Sequence, residues 1–110
     1  MERKLLFSSE YIEFLSSSSP RAQEKLNYAA TLLETLPVLS TQFVKKLINT
    51  DFYELRIKVE NEVRVILFSV DDENINRAHT IIFLNGFVKK STKDYKKEIA
   101  KATNILRQLL

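Results

Sequence analysis

The stretch FYELRIKVENEVRVILFSV, residues 52–70, decides the fold class of this chain. In its first half apolar and mostly polar side chains alternate, the apolar ones being Tyr53, Leu55, Ile57 and Val59. A period of two is typical of a strand with one buried face. Val63–Val70 reads as a second strand with Val63, Val65 and Leu67 on one face, and Asn61 between the two strands tolerates the left-handed backbone of a tight turn. The stretch therefore predicts a β-hairpin.

The register of this hairpin decides where its charges lie. Pairing apolar with apolar side chains sets Val59 opposite Val63, because a one-residue slip would turn one strand over. Lys58 then lies opposite Arg64, with Arg56 one step away on the same face. Like charges opposite one another destabilise a sheet, and an anionic ligand would relieve that repulsion. The alternative is neutralisation by acidic neighbours in the same hairpin, namely Glu54, Glu60 and Glu62.

The sequence before the hairpin predicts a strand and two helices. KLLFS, residues 4–8, is a candidate first strand, and a short helix is expected over residues 10–15. Pro20 suits a first helical turn with Ser19 as its N-cap. Apolar side chains then recur at helical spacing until Pro37 ends the pattern, which indicates an amphipathic helix.

Three further segments complete the pattern. Thr41–Ile48 is short and ambiguous, whereas HTIIFLNG, residues 79–86, is more apolar and predicts a central strand of the sheet. Residues 95–110 predict a helix whose apolar stripe is Ile99, Ala102, Leu106 and Leu109. An N-terminal strand and helices, an antiparallel β-meander and a C-terminal helix make an α+β fold.

Length and composition are those of one globular domain, residues 1–110. The chain has no cysteine, which excludes a disulfide framework and thiolate metal sites and fits a reducing compartment. The apolar run in MERKLLFSSEY is too short for a signal peptide, and no segment is long enough to span a membrane. We therefore expect a soluble, cytoplasmic protein.

Positive charge is concentrated at one end of the chain. The net charge is +3, but residues 89–110 hold seven Lys and Arg against two acids, a balance of +5. Five of these lysines fall within GFVKKSTKDYKK, residues 86–97, which also contains the only glycine. Such asymmetry favours a polyanionic partner. A lysine-rich, solvated helix surface is the alternative.

Two segments resemble a known family. YELRIKVENEVRVILF (53–68) and TIIFLNGFVKKSTKDYKKEIAKA (80–102) resemble the RelE/ParE superfamily of type II toxins, in particular its HigB-like, phage-derived Gp49-like branch. The matching positions are Tyr53-Glu54-Leu55-Arg56, Arg64, Gly86-Phe87-Val88-Lys89-Lys90, Lys93, Glu98 and Ile99. The resemblance covers residues 37–102 and implies the RelE-like microbial RNase fold. One position departs from the pattern, which has proline where this chain has Tyr95.

The resemblance also implies a function and partners. It points to the toxin of a type II toxin–antitoxin system, a ribosome-dependent endoribonuclease that cleaves mRNA by 2′-OH attack and leaves a 2′,3′-cyclic phosphate. The implied partners are the ribosome, its mRNA and a small helix-turn-helix antitoxin, with no membrane and no cofactor. No metal site is visible, since the contiguous acids Asp71, Asp72 and Glu73 read as a solvated turn.

The implied reaction assigns roles to particular side chains. Negative charge builds on the non-bridging phosphate oxygens, where positioned cations stabilise it. The planar fork of arginine matches phosphate, so Arg64, expected at the surface, is the first candidate for the clamp and Arg56 the second. Lys90 is a further catalytic candidate beside the phosphates, and Tyr95 completes the catalytic set. The candidate RNA-binding residues are Lys58, Lys89 and Lys93.

The sequence alone does not identify the group that accepts the 2′-OH proton. Tyr95, or a lysine whose pKa its neighbours depress, could accept the 2′-OH proton, with Glu54 a weaker candidate. We expect His79, the only histidine, to be structural or partly exposed. Phe87 follows an apolar strand and is expected in the core rather than stacked on a base.

Two other functions are compatible with the same residues. A ParE-like protein would inhibit DNA gyrase without cleaving RNA, and an inactive module would only bind nucleic acid. The cations favour the nuclease, because cleavage of a phosphodiester needs positive charge to stabilise the phosphate oxygens. They are Arg64, Lys89, Lys90 and Lys93.

Overall fold

The computed structural model describes residues 2–110 and confirms the α+β prediction. Its elements in chain order are β1 (Lys4–Phe7), α1 (Ser9–Ser17), α2 (Pro20–Thr35), β2 (Val44–Lys46), β3 (Phe52–Val59), β4 (Asn61–Ser69), β5 (Thr80–Val88) and α3 (Asp94–Leu109). Ser19 caps α2 as predicted, because its hydroxyl accepts the Ala22 N–H at 3.2 Å. Within the described residues no helix is long and apolar enough to cross a membrane.

The five strands form one sheet in the order β1-β5-β4-β3-β2. Strands β2 to β5 are antiparallel neighbours, as the meander prediction required, and β1 lies parallel to β5 at the other edge. Strand β5, predicted to be central, is interior with a neighbour on each side, but the central strand of the five is β4. The ambiguous segment Thr41–Ile48 contains β2, a three-residue edge strand.

The predicted hairpin register is wrong by two residues. Val59 lies opposite Asn61 rather than Val63, because a single residue, Glu60, makes the turn. Glu60, not Asn61, adopts the left-handed backbone, with φ 61°. A shift of two keeps every side chain on its predicted face, since side chains alternate with a period of two.

The corrected register changes which charges meet. Lys58 lies opposite Glu62, an attractive pair, and Arg56 lies opposite Arg64. The predicted repulsion is therefore real, but it involves two arginines instead of a lysine and an arginine. It falls in the body of the hairpin rather than beside its turn.

Both faces of the sheet are covered, by helices from opposite ends of the chain. Helices α1 and α2 pack on the face that carries Leu55, Val65 and Leu67. Helix α3 packs on the other face, where its Ala102 and Ile105 join a core that contains Phe52, Ile66, Ile82, Leu84 and Phe87. The predicted α3 stripe is therefore right at Ile99, Ala102 and Leu106, while Ile105 was missed and Leu109 is exposed.

A β-bulge in β5 decides which of its residues face α3. Ile66 pairs with Asn85 but Leu67 pairs with Phe83, so Leu84 is an extra residue in β5. The extra residue reverses the alternation that follows it. Asn85 and Phe87 consequently face α3, and the prediction that Phe87 belongs to the core is confirmed.

Gly86 allows α1 to pack closely against β5. The same reversal turns Gly86 towards α1, where a Cβ atom would overlap the ring of Phe14. Its φ is not in the left-handed region, and it lies within β5 rather than in a loop. The single glycine thus lets α1 approach the sheet closely.

Arg3 ties three distant segments together. Its guanidinium is buried and donates hydrogen bonds only to backbone carbonyls. These are the carbonyls of Leu33, Leu36, Pro37, Ile75 and Asn76. Burial lowers the pKa of Arg3. The first segment, the end of α2 and the loop after β4 are therefore held by one side chain that no sequence pattern signalled.

Replacing Arg3 should destabilise the fold. Arg3→Met keeps much of the side-chain volume but leaves five carbonyls without their donor, so we expect a loss of about 2–4 kcal/mol in the free energy of unfolding. Urea denaturation measures it. Arg107→Met, at an exposed arginine, is the matched control and should change stability by less than about 0.5 kcal/mol. Equal, small effects of both variants would contradict the assigned role of Arg3.

Candidate active site

Two charged side chains are buried on the α3 face of the sheet. Glu54 of β3 and Arg64 of β4 are only 5% and 3% exposed. The expectation that Arg64 lies at the surface is therefore wrong. The reason is tertiary, because Tyr95 in the first turn of α3 reaches over both side chains.

The three groups form a closed hydrogen-bonded cluster. Arg64 Nε lies 2.9 Å from Glu54 Oε1, and the Tyr95 hydroxyl donates to the same oxygen at 2.8 Å. Arg64 Nε also donates to the Tyr95 oxygen at 3.2 Å. Arg64 Nη1 donates to the Val63 carbonyl at 3.1 Å and meets Glu62 Oε2 at 3.4 Å. We call Glu54, Arg64 and Tyr95 the buried cluster.

Arg56 lies at the edge of the buried cluster and remains accessible. It is opposite Arg64 in the hairpin, and its Nε lies 3.7 Å from Glu54 Oε1, so one carboxylate serves both arginines. Its side chain is 36% exposed. Neutralisation by acids of the hairpin is thus confirmed for Glu54 and Glu62, but Glu60 instead accepts a hydrogen bond from Ser19 Oγ at 2.9 Å.

The environment of Tyr95 keeps its hydroxyl protonated. Burial raises the pKa of Tyr95, and its hydrogen bond to the Glu54 carboxylate raises it further. The ring packs edge-on against Phe87 with centroids 5.6 Å apart, and Lys89 Nζ lies 5.6 Å from the Tyr95 ring centroid. At neutral pH this phenol is suited to donate a proton rather than to accept one.

The loop before α3 separates the predicted lysines into two groups. Asp94 Oδ2 accepts the backbone N–H groups of Lys90 and Ser91 at 2.7 and 3.0 Å, and these hydrogen bonds lower the pKa of Asp94. The side chain of Lys89 lines the cleft in front of Tyr95. The side chains of Lys90 and Lys93 are exposed on the loop and do not line it.

The cleft in front of the buried cluster has a volume of about 420 Å³. Glu54, Arg56, Lys89 and Tyr95 line it, so the structure brings together four residues that the sequence analysis named. It adds two lysines that the sequence analysis missed, Lys45 and Lys46 of β2. Their signal was weak because a three-residue edge strand leaves almost no periodic pattern. Predicted Lys58 lies outside this cleft, near the turn of the hairpin.

A buried amide holds α3 in place. Asn85 is 1% exposed, and its Nδ2 donates to the Glu98 backbone carbonyl at 3.2 Å and to Glu98 Oε1 at 3.0 Å. Among residues 2–110 its Oδ1 has no hydrogen-bond partner. Glu98 follows Tyr95 by one helical turn, so this contact fixes the helix segment that positions the phenol.

His79 lies outside the cleft, at the opposite end of β5. Its side chain is exposed, as expected, and its Nδ1 is 3.0 Å from Asp71 Oδ2. The backbone N–H groups of His79 and Thr80 also bond to Asp71, and with the ring contact they lower the pKa of Asp71 to about 2. Asp72 accepts the Asn74 N–H in the same turn. These groups organise the connection between β4 and β5.

Comparison with known proteins places the chain in a family. Residues 13–107 match the model of the phage derived protein Gp49-like family, and the chain therefore belongs to that family, as the resemblance predicted. A search of curated proteins gives no significant match.

Two solved structures share the fold. The first is a double arginine-to-alanine mutant of the E. coli toxin RelE in the free state, with a TM-score of 0.66 and 13% identity over 92% of this chain and 98% of that chain. The second is the intact E. coli RelBE toxin–antitoxin complex, with a TM-score of 0.58 and 14% identity over 81% of this chain and 99% of that chain. The predicted RelE-like fold is confirmed.

The titration of Tyr95 tests the geometry of the buried cluster. We expect a midpoint above the ordinary value of 10, measured as the difference in absorbance at 295 nm between the wild type and Tyr95→Phe. The stability linked to this shift is complete below pH 10 and is lost as pH rises towards the folded-state pKa. Glu54→Gln should lower the midpoint, while Glu60→Gln should not. A midpoint at or below 10 would show that the phenol is not held as described.

Proposed function

We propose that this protein is the toxin of a type II toxin–antitoxin system and acts as a ribosome-dependent endoribonuclease on mRNA. The observation that carries the proposal is the buried cluster at the floor of a cleft that Arg56 and Lys89 flank. Membership of the Gp49-like family and the fold shared with RelE support the toxin assignment. Residues 1–110 would act as one toxin domain in the cytoplasm.

In the proposed mechanism, Arg56 and Lys89 neutralise the scissile phosphate. Both side chains line the cleft, and Arg56 presents a partly exposed guanidinium that can take two phosphate oxygens. Arg64 is buried, so its role becomes that of a positioning residue that holds Glu54 and Tyr95. The cations supply the charge stabilisation that the transition state needs, and no step requires a metal.

The proposed proton transfers use the other two members of the buried cluster. Glu54 accepts the proton of the 2′-OH as its oxygen bonds to phosphorus, and Tyr95 gives its proton to the 5′-oxygen as the P–O5′ bond breaks. The products are a 2′,3′-cyclic phosphate and a 5′-hydroxyl. The raised pKa of Tyr95 favours the donor role, and Arg64 Nε stabilises the phenolate that results. Glu54 therefore replaces Tyr95 as the preferred proton acceptor.

The remaining cations, on the β2 wall of the cleft and on the loop before α3, suit larger partners. Lys45 and Lys46 lie on the edge strand, and Lys90 and Lys93 project from the loop before α3. We assign these side chains to contacts with the phosphates of mRNA and ribosomal RNA. The second proposed partner is a cognate antitoxin, a small helix-turn-helix protein, and the fold shared with the toxin–antitoxin complex RelBE supports such a partner.

Expression of the protein tests the proposal through Arg56. The wild type should arrest growth and create new 5′ ends in translated mRNA, which primer extension detects. Arg56→Gln removes a partly exposed phosphate donor without a core defect, so cleavage should fall by about 100-fold or more. Lys101→Gln, an exposed change of equal charge on α3, is the control and should cleave normally. Full cleavage by a folded Arg56→Gln protein would contradict the clamp assignment.

The other outcomes identify the competing functions. Growth arrest with intact transcripts and failed DNA supercoiling would indicate a gyrase inhibitor. Absence of cleavage and of growth arrest, with RNA binding retained, would indicate an inactive nucleic-acid-binding module. Either result overturns the nuclease proposal.

A further inference from the structure

We propose that a groove between α2 and β3 is a second RNA-contact site, in which a nucleobase stacks on Tyr28 while Lys25 and Lys58 hold the adjoining phosphate. This inference rests on the proposed function, because it takes the ligand to be RNA. It concerns a surface outside the cleft described above and assigns Lys58, which that cleft does not use.

The groove combines an apolar floor with a cationic rim. It has a volume of about 300 Å³. The floor and wall are apolar, made by Ala29, Leu32, Phe43 and Ile57, and the rim carries Lys25, Arg56 and Lys58. Tyr28 stands at its side with 63% of its surface exposed. A large aromatic ring left open beside three cations has no partner within residues 2–110 that explains it.

The groove exists because β2 is too short to cover β3. Strand β2 pairs only with Tyr53–Leu55, and the Arg56 N–H makes the last bond on that side, to the Phe43 carbonyl at 2.9 Å. The final residues of β3, 57–59, therefore form an open sheet edge. There the Lys25 ammonium crosses from α2 and donates to the Lys58 carbonyl at 2.7 Å.

The chemistry of the groove fits a nucleotide. Lys25 and Tyr28 are three residues apart on α2 and so lie on the same side of the helix. Single-stranded nucleic acid is recognised by this pairing of cations for phosphate with an aromatic ring for a base. Beyond Lys58 the surface carries charges of both signs, Arg21 with Glu24 and Glu60, so the segment nearest Arg56 is the part that is cationic without acidic neighbours.

The groove adjoins the cleft, so one RNA strand could contact both. Arg56 lines both the cleft and the groove, so RNA leaving the cleft meets the groove at that guanidinium. An extended peptide pairing with the open edge is less favoured. The free edge is three residues long, and Lys25 already occupies the Lys58 carbonyl. The positions of the cations and of the exposed ring therefore favour RNA.

Binding of a short RNA tests the site. The probe is a labelled single-stranded RNA of about 12 nucleotides with 2′-O-methyl groups, which cannot be cleaved by 2′-OH attack, and fluorescence anisotropy measures its affinity. Tyr28→Ala should weaken binding at least about fivefold, whereas Tyr28→Phe, which keeps the ring, should bind as the wild type. Lys58→Gln should reduce the slope of log affinity against log salt by about 0.7, the value for one phosphate contact in single strands. Lys101→Gln controls for net charge.

Each outcome supports or overturns the inference. Unchanged binding by Tyr28→Ala, with weaker binding by Arg56→Gln, would overturn the groove and leave the cleft assignment intact. Failure of the wild-type protein to bind the probe would overturn this inference but not the proposed function, which acts on mRNA in the ribosome and is tested by primer extension. Loss of antitoxin binding in Tyr28→Ala, with RNA binding unchanged, would make the groove a protein-binding surface. Because Tyr28 is exposed, thermal melting should confirm that its variants remain folded.

Discussion

The ion pair between Glu54 and Arg64 is the interaction on which the rest of this structure depends. Two opposite charges, each almost fully buried, are 2.9 Å apart on neighbouring strands. Removing either charge would leave the other in the core with only a longer contact, from Glu54 to Arg56 at 3.7 Å or from Arg64 to Glu62 at 3.4 Å, which costs several kcal/mol. The pair is tolerated because Tyr95 hydrogen-bonds to both partners and excludes water from them. The position of α3 and the burial of the Glu54–Arg64 pair therefore depend on each other.

The geometry of the site therefore depends on β3, β4 and α3 together. Arg56 lies opposite Arg64, and the shared Glu54 carboxylate offsets their repulsion while leaving the Arg56 guanidinium partly exposed. The bulge at Leu84 then turns Asn85 towards α3, where it holds Glu98 and so fixes the first turns of the helix. An extra residue in an interior strand thus contributes to placing the phenol over the carboxylate.

Local features of the structure were predictable, because local sequence specifies them. The hairpin, the Ser19 cap of α2 and the faces of β3 and β4 follow from periodicity and capping chemistry. The hairpin register was not, because pairings that differ by two residues bury the same side chains. Only the one-residue turn at Glu60 distinguishes them, and a glutamate gives no signal for a left-handed backbone.

Tertiary features escaped prediction for a different reason. Arg64 was expected at the surface and Arg3 gave no sequence signal, because the groups that bury them come from the start of α3 and the end of α2. The cleft residues Lys45 and Lys46 lie on a strand too short to show a period. Tyr95 did give a signal, since it replaces the proline of the family pattern. That departure identified the side chain that closes the buried cluster.

A double-mutant cycle on Glu54 and Arg64 tests this account most directly. The free energy of unfolding is measured in urea for Glu54→Gln, Arg64→Met and the double variant. Each single change should cost about 3 kcal/mol, because it leaves a buried charge without its nearest partner. The double variant should cost far less than the sum, which gives a coupling energy of about 1.5 kcal/mol or more. Additive effects, within about 0.5 kcal/mol, would contradict the claim that this pair organises the site.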